Sequence, residues 1–380
     1  MPSLRNTGTG PSAPLVYYAQ TMPGIEQIAW LEVRKRFPHA ALQEYLFAKD
    51  KNGILVFSYG GSPDDVLALR TVEDVFLLAL SAEIAARTWS GLQEVTQAIE
   101  REALVEQAVR VFRKQRKLSP RLTYRIVTRL EGQHQYRRKD VEQAAQKGLE
   151  RRFGDAWKLV EEEADLEVWV NLLGTRLLCG LRLSDRTMRH REYQSVHLPA
   201  SLRPSVAAAM VLLTEPDEND TFLDPMCGSG TLLAERILGG AYRQVLGGDI
   251  DGRAVGAARQ NLKGLGAHWQ VSRWDARKLP LASASVDAVA TNPPFGKQIG
   301  SPQELGQLYP TFVAEVARVL KPGGRAVVLT SQYGLLKEAV RRQPSLQIVR
   351  GYSIAVLGEW GRLYLLRKAS EPASPADGGK

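Results

Sequence analysis

Apolar and polar positions follow three different rhythms along the chain. From Leu15 to about Gly60, the run Leu15-Val16-Tyr17-Tyr18-Ala19 predicts a strand, and Ile25, Ile28 and Ala29 recur at helical spacing between Gly24 and Phe37. The turn signal Lys51-Asn52-Gly53 leads into a second strand, Ile54-Leu55-Val56-Phe57. From about Pro63 to Leu183, a helical pattern over 104–117 precedes a strand over 122–127 in which basic and apolar residues alternate. A helix over 138–153 follows, then strands over 166–172 and 176–182, joined by a hairpin through Leu173-Gly174-Thr175. After an extended stretch, 186–201, short apolar runs alternate with helical patterns. Strands are predicted at 221–223, 244–249, 269–271, 286–291 and 325–330, with helices from Thr231, over 253–265 and over 305–320. The stretches 346–356 and 361–366 read as a terminal hairpin. That alternation predicts an α/β domain with a mostly parallel, doubly wound sheet, whose ligands sit outside the carboxyl ends of its strands.

These rhythms divide the 380 residues into tails at 1–14 and 369–380, modules at 15–62 and 63–185, a linker at 186–198 and the α/β domain at 199–368. With 44% hydrophobic and 24% charged residues, a wholly disordered chain is excluded. No run of about 20 apolar residues predicts a membrane span, and the first residues carry no apolar core of a secretory signal. Cys179 and Cys227 are too few for a disulfide framework or a cysteine-rich zinc site, so a reducing cytoplasm is expected; a monomer without metal is the accompanying expectation.

Charge changes the picture. The net charge is +9, and residues 101–152 alone hold 15 basic against 6 acidic residues, an excess equal to the total. A local positive field of this kind attracts polyanions, which makes this segment a candidate nucleic-acid surface. Arg113, Lys114, Arg116, Lys117, Arg121, Arg125 and Arg129 are its candidate contacts, with Arg186, Arg189 and Arg191 of the linker as possible additions.

The candidate chemistry lies in the turns of the last domain. The first reads Asp224-Pro225-Met226-Cys227-Gly228-Ser229-Gly230-Thr231, in which glycines let the backbone approach a ligand at a helix N-terminus. Leu233 stands where a dinucleotide fingerprint requires glycine or alanine, which disfavours a nicotinamide cofactor. Asp249, before Ile250 and Asp251, can accept from a ribose diol or serve as a turn residue, with Asp251 as the next N-cap. Asp275, before Ala276, can accept from an adenine amino group. After the fourth strand comes Asn292-Pro293-Pro294-Phe295. Two prolines enforce an extended backbone, leaving the Asn292 amide and Pro293 carbonyl as acceptors for an exocyclic amine, with Phe295 as a stacking face.

Together these motifs resemble the class I S-adenosylmethionine-dependent methyltransferases of the Asn-Pro-Pro-Phe type. The resemblance implies that 224–231, Asp249 with Ile250, Asp275 with Ala276, and Asn292 hold S-adenosylmethionine, and that Asn292–Phe295 holds the substrate amine. The segment Pro199-Ala200-Ser201-Leu202-Arg203-Pro204 is similar to the entry segment of methyltransferases with an N-terminal THUMP domain, where it closes over the cofactor. On this likeness 15–62 is a ferredoxin-like module and 63–185 a THUMP RNA-binding domain. The whole chain is identified as a member of the THUMP-type tRNA guanine-N2 methyltransferases, with guanosine 6 of the acceptor stem as the expected target and the tRNA 3′ end as an expected contact.

The implied chemistry is in-line attack by the guanine 2-amino nitrogen, its N–H bonds held by Asn292 and the Pro293 carbonyl, with the proton leaving afterwards. The tetrapeptide also serves adenine-N6 methylation of DNA and glutamine methylation of protein. A guanosine elsewhere in tRNA or rRNA, or an RNA-binding factor with a silent fold, are further alternatives. No separate DNA-recognition region is evident, and a protein substrate gives the basic segment no purpose.

Overall fold

The computed structural model describes residues 14–48, 52–102, 104–115, 118–119, 121–199, 201–296, 301–356 and 359–370. The chain forms two compact units, Met1–Thr21 with Trp30–Met188 and Met22–Ala29 with Arg189–Lys380.

In chain order, the first part contains β1 (Leu15–Thr21), α1 (Glu26–Arg36), β2 (Ala41–Ala48), β3 (Asn52–Tyr59), α2 (Pro63–Val66), β4 (Asp74–Glu83), α3 (Ser90–Arg101), α4 (Leu104–Gln115), β5 (Leu122–Glu131), α5 (Arg138–Phe153), β6 (Trp157–Leu159), β7 (Leu166–Leu173) and β8 (Arg176–Arg182). Its strands form one sheet in the order β2-β3-β1-β4-β8-β7-β5-β6, so strands from the 15–62 and 63–185 stretches share a single ladder. β1 is interior, and Tyr17 to Thr21 are buried along its length. β5 pairs in parallel with both β6 and β7, a pairing that requires a crossover, which α5 supplies. Gly148 brings α5 onto α3, since a Cβ there would meet the Thr96 carbonyl at 2.8 Å. The buried Asp74 carboxylate is held by Arg182 at 2.6 Å and by the Ser184 hydroxyl at 3.0 Å.

The second unit contains α6 (Pro204–Leu213), β9 (Thr221–Asp224), α7 (Thr231–Leu238), β10 (Gln244–Asp249), α8 (Gly252–Leu262), β11 (Trp269–Arg273), β12 (Val286–Thr291), α9 (Pro302–Val319), β13 (Leu320–Thr330), α10 (Tyr333–Arg341), β14 (Leu346–Val356) and β15 (Glu359–Lys368). The sheet order is β11-β10-β9-β12-β13-β15-β14, with β11 to β13 parallel and the final hairpin antiparallel. The order reverses between β9 and β12, so this point opens a crevice at the strands' carboxyl ends. All the predicted strands of this unit are present, three of them at the predicted limits on both sides: β10, β12 and β14. α6 and α10 go beyond the prediction. α6 is buried almost all round, so its apolar residues show no helical period.

Candidate active site

The loop between β9 and α7 is shaped by two glycines with left-handed backbones, Gly228 (φ 51°) and Gly230 (φ 82°). A Cβ on Gly230 would also press on Ala258 of α8 at 3.1 Å, so glycine serves both conformation and packing there. The loop is tied to its neighbours by main-chain and side-chain bonds. Cys227 N donates to Gly248 O at 2.9 Å, and Gly228 N donates to Asp249 Oδ2 at 3.0 Å. The other Asp249 oxygen accepts from Asp251 N at 3.0 Å. Each oxygen of this carboxylate keeps acceptor capacity beyond the bond it makes. Ile250, immediately after it, is 59% exposed, an apolar surface beside an acid at the mouth of the crevice. Asp251 caps α8 by accepting from Arg253 N, as expected.

Asp224 ends β9 with its carboxyl buried. Burial pushes its pKa up to about 7, against the pull of the Met226 N–H, and the nearby Asp249 charge adds to the rise. An acid raised in the folded state penalises folding increasingly as pH climbs from its unfolded value towards 7, and a cation bound beside it relieves that penalty. S-adenosylmethionine is cationic at both its sulfonium and its ammonium. Its affinity is therefore expected to rise with pH through about 7, with proton release. Asp224→Asn should flatten the profile in calorimetric titrations at pH 6 and pH 8.

Two residues outside the sequence motifs brace this loop. Trp274 donates from Nε1 to Pro225 O at 3.0 Å, and its ring lies against Gly248, where a Cβ would come within 2.2 Å. Asn261 of α8, almost fully buried, donates from Nδ2 to Ser229 O at 3.0 Å and to Val196 O at 2.9 Å, and accepts from Val196 N at 2.9 Å. It staples the segment before α6 to the glycine loop. Ser201 of that segment also reaches the loop, its Oγ 3.1 Å from that of Ser229, and Leu202 is buried. Ala200 lies outside the described residues. Gly248→Ala is expected to lower thermal stability by about 1–3 kcal/mol through overpacking against Trp274, read as a lower unfolding midpoint.

Asp275 is held by Arg277, which donates to it from backbone N at 2.9 Å and from Nη2 at 2.6 Å. These bonds lower the Asp275 pKa. Ala276 is buried in the core with Leu223 and Leu246.

Asn292–Phe295 follow β12 without regular structure. Asn292 Oδ1 is buried and meets no donor among the described residues. An unsatisfied buried acceptor is costly, and here it stands at the carboxyl edge beside the switch point. Two carbonyls of the loop, those of Pro294 and Phe295, have partners. Gln332 Nε2 donates to Phe295 O at 2.7 Å, and Tyr309 OH lies 3.5 Å from Pro294 O. Tyr309 also shares a 2.6 Å bond with Thr330 Oγ1, which accepts from Gln332 N at 2.8 Å. Gln332 was not singled out from sequence, although a polar residue just past a strand's carboxyl end was the available signal.

Residues 191–354 match the UPF0020 family, described as an RMKL-like methyltransferase domain. The tRNA (guanine(6)-N2)-methyltransferase of Thermus thermophilus is 31% identical over 248 residues, 65% of this chain and 72% of that protein. The chain belongs to the tRNA guanine-N2 methyltransferases. The mouse tRNA (guanine(6)-N(2))-methyltransferase THUMP3 is 30% identical over 57% of the chain, a match that spans 45% of its own length. The crystal structure of TrmN from Thermus thermophilus superposes with a TM-score of 0.76 at 26% identity, over 93% of this chain and 99% of that one.

The family's S-adenosylmethionine fits the residues present. Asp249, which would accept from a ribose diol, the exposed Ile250, the buried acid Asp224 and the close-approach glycines come together at the carboxyl ends of β9 and β10. Among the described residues, no group of three or more His, Cys, Asp or Glu could hold a metal ion, and no helix is long and apolar enough to cross a membrane.

The candidate RNA contacts of the methyltransferase sort into three kinds. Arg113 and Arg121 are exposed, Arg121 lying 3.9 Å from Asp155. Arg125 is paired with Glu167 at 2.5 Å, and Arg129 lies over the Trp169 ring, 5.9 Å from its centroid. Arg116 and Lys117 lie outside the described residues, as does the Lys114 side chain. In the linker Arg186 is exposed, Arg189 is half-buried and Arg191 turns inward, 3.6 Å from the buried Glu235.

Proposed function

We propose that the protein methylates the exocyclic N2 of guanosine 6 in the tRNA acceptor stem, giving N2-methylguanosine. The observation that carries this reading is the buried Asn292 Oδ1, an acceptor held ready for a donor that the described residues do not supply. A guanine 2-amino group brings two N–H donors and a nitrogen whose lone pair is delocalised into the ring. Asn292 Oδ1 and the Pro293 carbonyl accept those N–H bonds and turn the lone pair out of the ring plane, while Phe295 stacks on the base. S-adenosylmethionine, when bound, supplies the electrophilic methyl group. No strong base is required, because the alkylated nitrogen is acidic and its proton passes to water.

Bases in a stem are stacked and paired, so the target guanosine is flipped out or locally unpaired on binding. Residues 63–185 take the RNA as a THUMP domain, with the tRNA 3′ end as a further contact, and the enzyme acts in the cytoplasm as a metal-free monomer. The test is transfer of radiolabel from S-adenosylmethionine to unmodified tRNA transcripts, followed by nucleoside analysis and a panel of stem mutants. Label in N2-methylguanosine that disappears when guanosine 6 is replaced is the expected result. Label that persists moves the target to another guanosine, and label in adenosine overturns the reading.

A further inference from the structure

The Gln332 side chain faces the tetrapeptide in an orientation that its partner dictates. A backbone carbonyl only accepts, so the 2.7 Å contact with Phe295 O requires Gln332 to present its NH2 group there. The Oε1 atom is thereby turned to the other side. The residue is half-buried, and among the described residues Oε1 takes no hydrogen bond. Its backbone is held as well. Gln332 N donates to Thr330 Oγ1, which is itself bonded to the buried Tyr309. On the tetrapeptide side, Gly296 has φ +87°, and a Cβ there would strike Leu305 at 2.6 Å, so the turn after Phe295 is packed in place. A fixed acceptor thus stands just past the end of β13, the strand beside β12, tied to the loop that carries Asn292.

Guanine offers a donor for such an acceptor. Along its Watson–Crick edge, N1–H lies next to the 2-amino group. Adenine and 2-aminopurine carry a bare N1 lone pair at that place. We propose that Gln332 determines base identity: its Oε1 accepts the N1–H of the guanine whose amine is held at Asn292, and repels a base with an unprotonated N1. This rests on guanosine N2 being the substrate nitrogen. It adds a residue that reads the base to those that hold the reacting amine, and the Phe295 carbonyl acts as the positioning group that aims it.

The test replaces the methylated guanosine, within an otherwise identical ligated tRNA, by 2-aminopurine riboside, which keeps the 2-amino group and lacks N1–H. The ratio of kcat/KM for guanosine over 2-aminopurine is measured for the parent and for Gln332→Leu and Gln332→Met. Differences in intrinsic nucleophilicity cancel when the ratios are compared between enzymes. The parent ratio is expected to exceed that of either variant by about tenfold or more, as for other well-aligned base contacts. Should a variant turn over too slowly, the same ratio is read from binding of the two tRNAs with S-adenosylhomocysteine present. An unchanged ratio with both substrates slowed equally overturns the proposal and leaves Gln332 as a clamp on the loop alone. If the parent places no label on guanine N2 of any tRNA, the underlying reading fails and takes this one with it. S-adenosylmethionine affinity equal to the parent's verifies that the variants are folded.

Discussion

Asn292→Ala is expected to lower methyl transfer by about 10²–10³-fold while S-adenosylmethionine affinity stays within a few-fold of the parent, the scale seen when one aligned polar group is removed from a reacting centre. The two effects separate because most of the cofactor's candidate contacts lie elsewhere. Asn292 stands just past β12, whereas the others come from 200–202 and from the loops after β9, β10 and β11, the first two of which are fixed by Cys227–Gly248 and Gly228–Asp249 bonds that the substitution does not touch. Stability provides a second signature. Among the described residues no donor meets the buried Oδ1, so its removal takes away a desolvated polar atom and none of their hydrogen bonds. The variant should therefore unfold at or slightly above the parent's midpoint. A side chain with a structural role would do the reverse, losing stability and cofactor binding together with turnover. Single-turnover kinetics, equilibrium cofactor binding and thermal unfolding on the same preparation decide between them.

The sequence makes the catalytic half legible because each of its motifs sits where a strand must end. Proline stops β12 at Asn292, and the glycine turn needs left-handed backbones at Gly228 and Gly230, so local residue chemistry defines these loops. Gly247-Gly248 is a harder case. Both stand inside a strand, and only the structure explains them: a Cβ at Gly247 would meet Leu233 at 2.3 Å, and one at Gly248 would meet Trp274 at 2.2 Å. The bracing residues were hidden for a related reason. Asn261 reads as one more polar residue on α8, and its role depends on Val196 and Ser229, which lie 65 and 32 positions away.

Asp275 shows what spacing alone leaves out. Its place after β11 suggests an acceptor for an adenine, and the structure adds that Arg277, two residues on, bonds both oxygens and holds the carboxylate in place. In the N-terminal half, α3 and β4 were not anticipated. Leu77 to Leu80 is a nearly continuous apolar run buried in an interior strand, a pattern that periodicity cannot assign. The basic excess of residues 101–152 was visible from composition, but which arginines remain available is a matter of neighbours. Arg125 and Arg129 belong to β5, where parallel pairing sets them opposite Glu167 and Asn171 of β7.

That distinction makes the charge prediction specific. Replacing Arg113, Lys114, Arg116, Lys117 and Arg121 together by glutamine is expected to weaken tRNA binding and to flatten its salt dependence. Each phosphate contact contributes about 0.7 to 0.9 to the slope of log K against log salt, so five lost contacts should reduce the slope by roughly 3.5–4.5. Arg125→Gln is expected to act differently. Its guanidinium is already balanced by Glu167, which Arg182 also contacts at 3.3 Å, so its removal should change the slope by much less than one contact while disturbing the sheet. Filter binding of one tRNA at a series of salt concentrations yields both slopes. If Arg125→Gln flattens the curve as much as an exposed arginine does, RNA displaces Glu167 on binding and the ion pair is part of the interface. If the fivefold variant keeps the parent slope, the excess charge of residues 101–152 is solvated surface, and the RNA is held elsewhere on the protein.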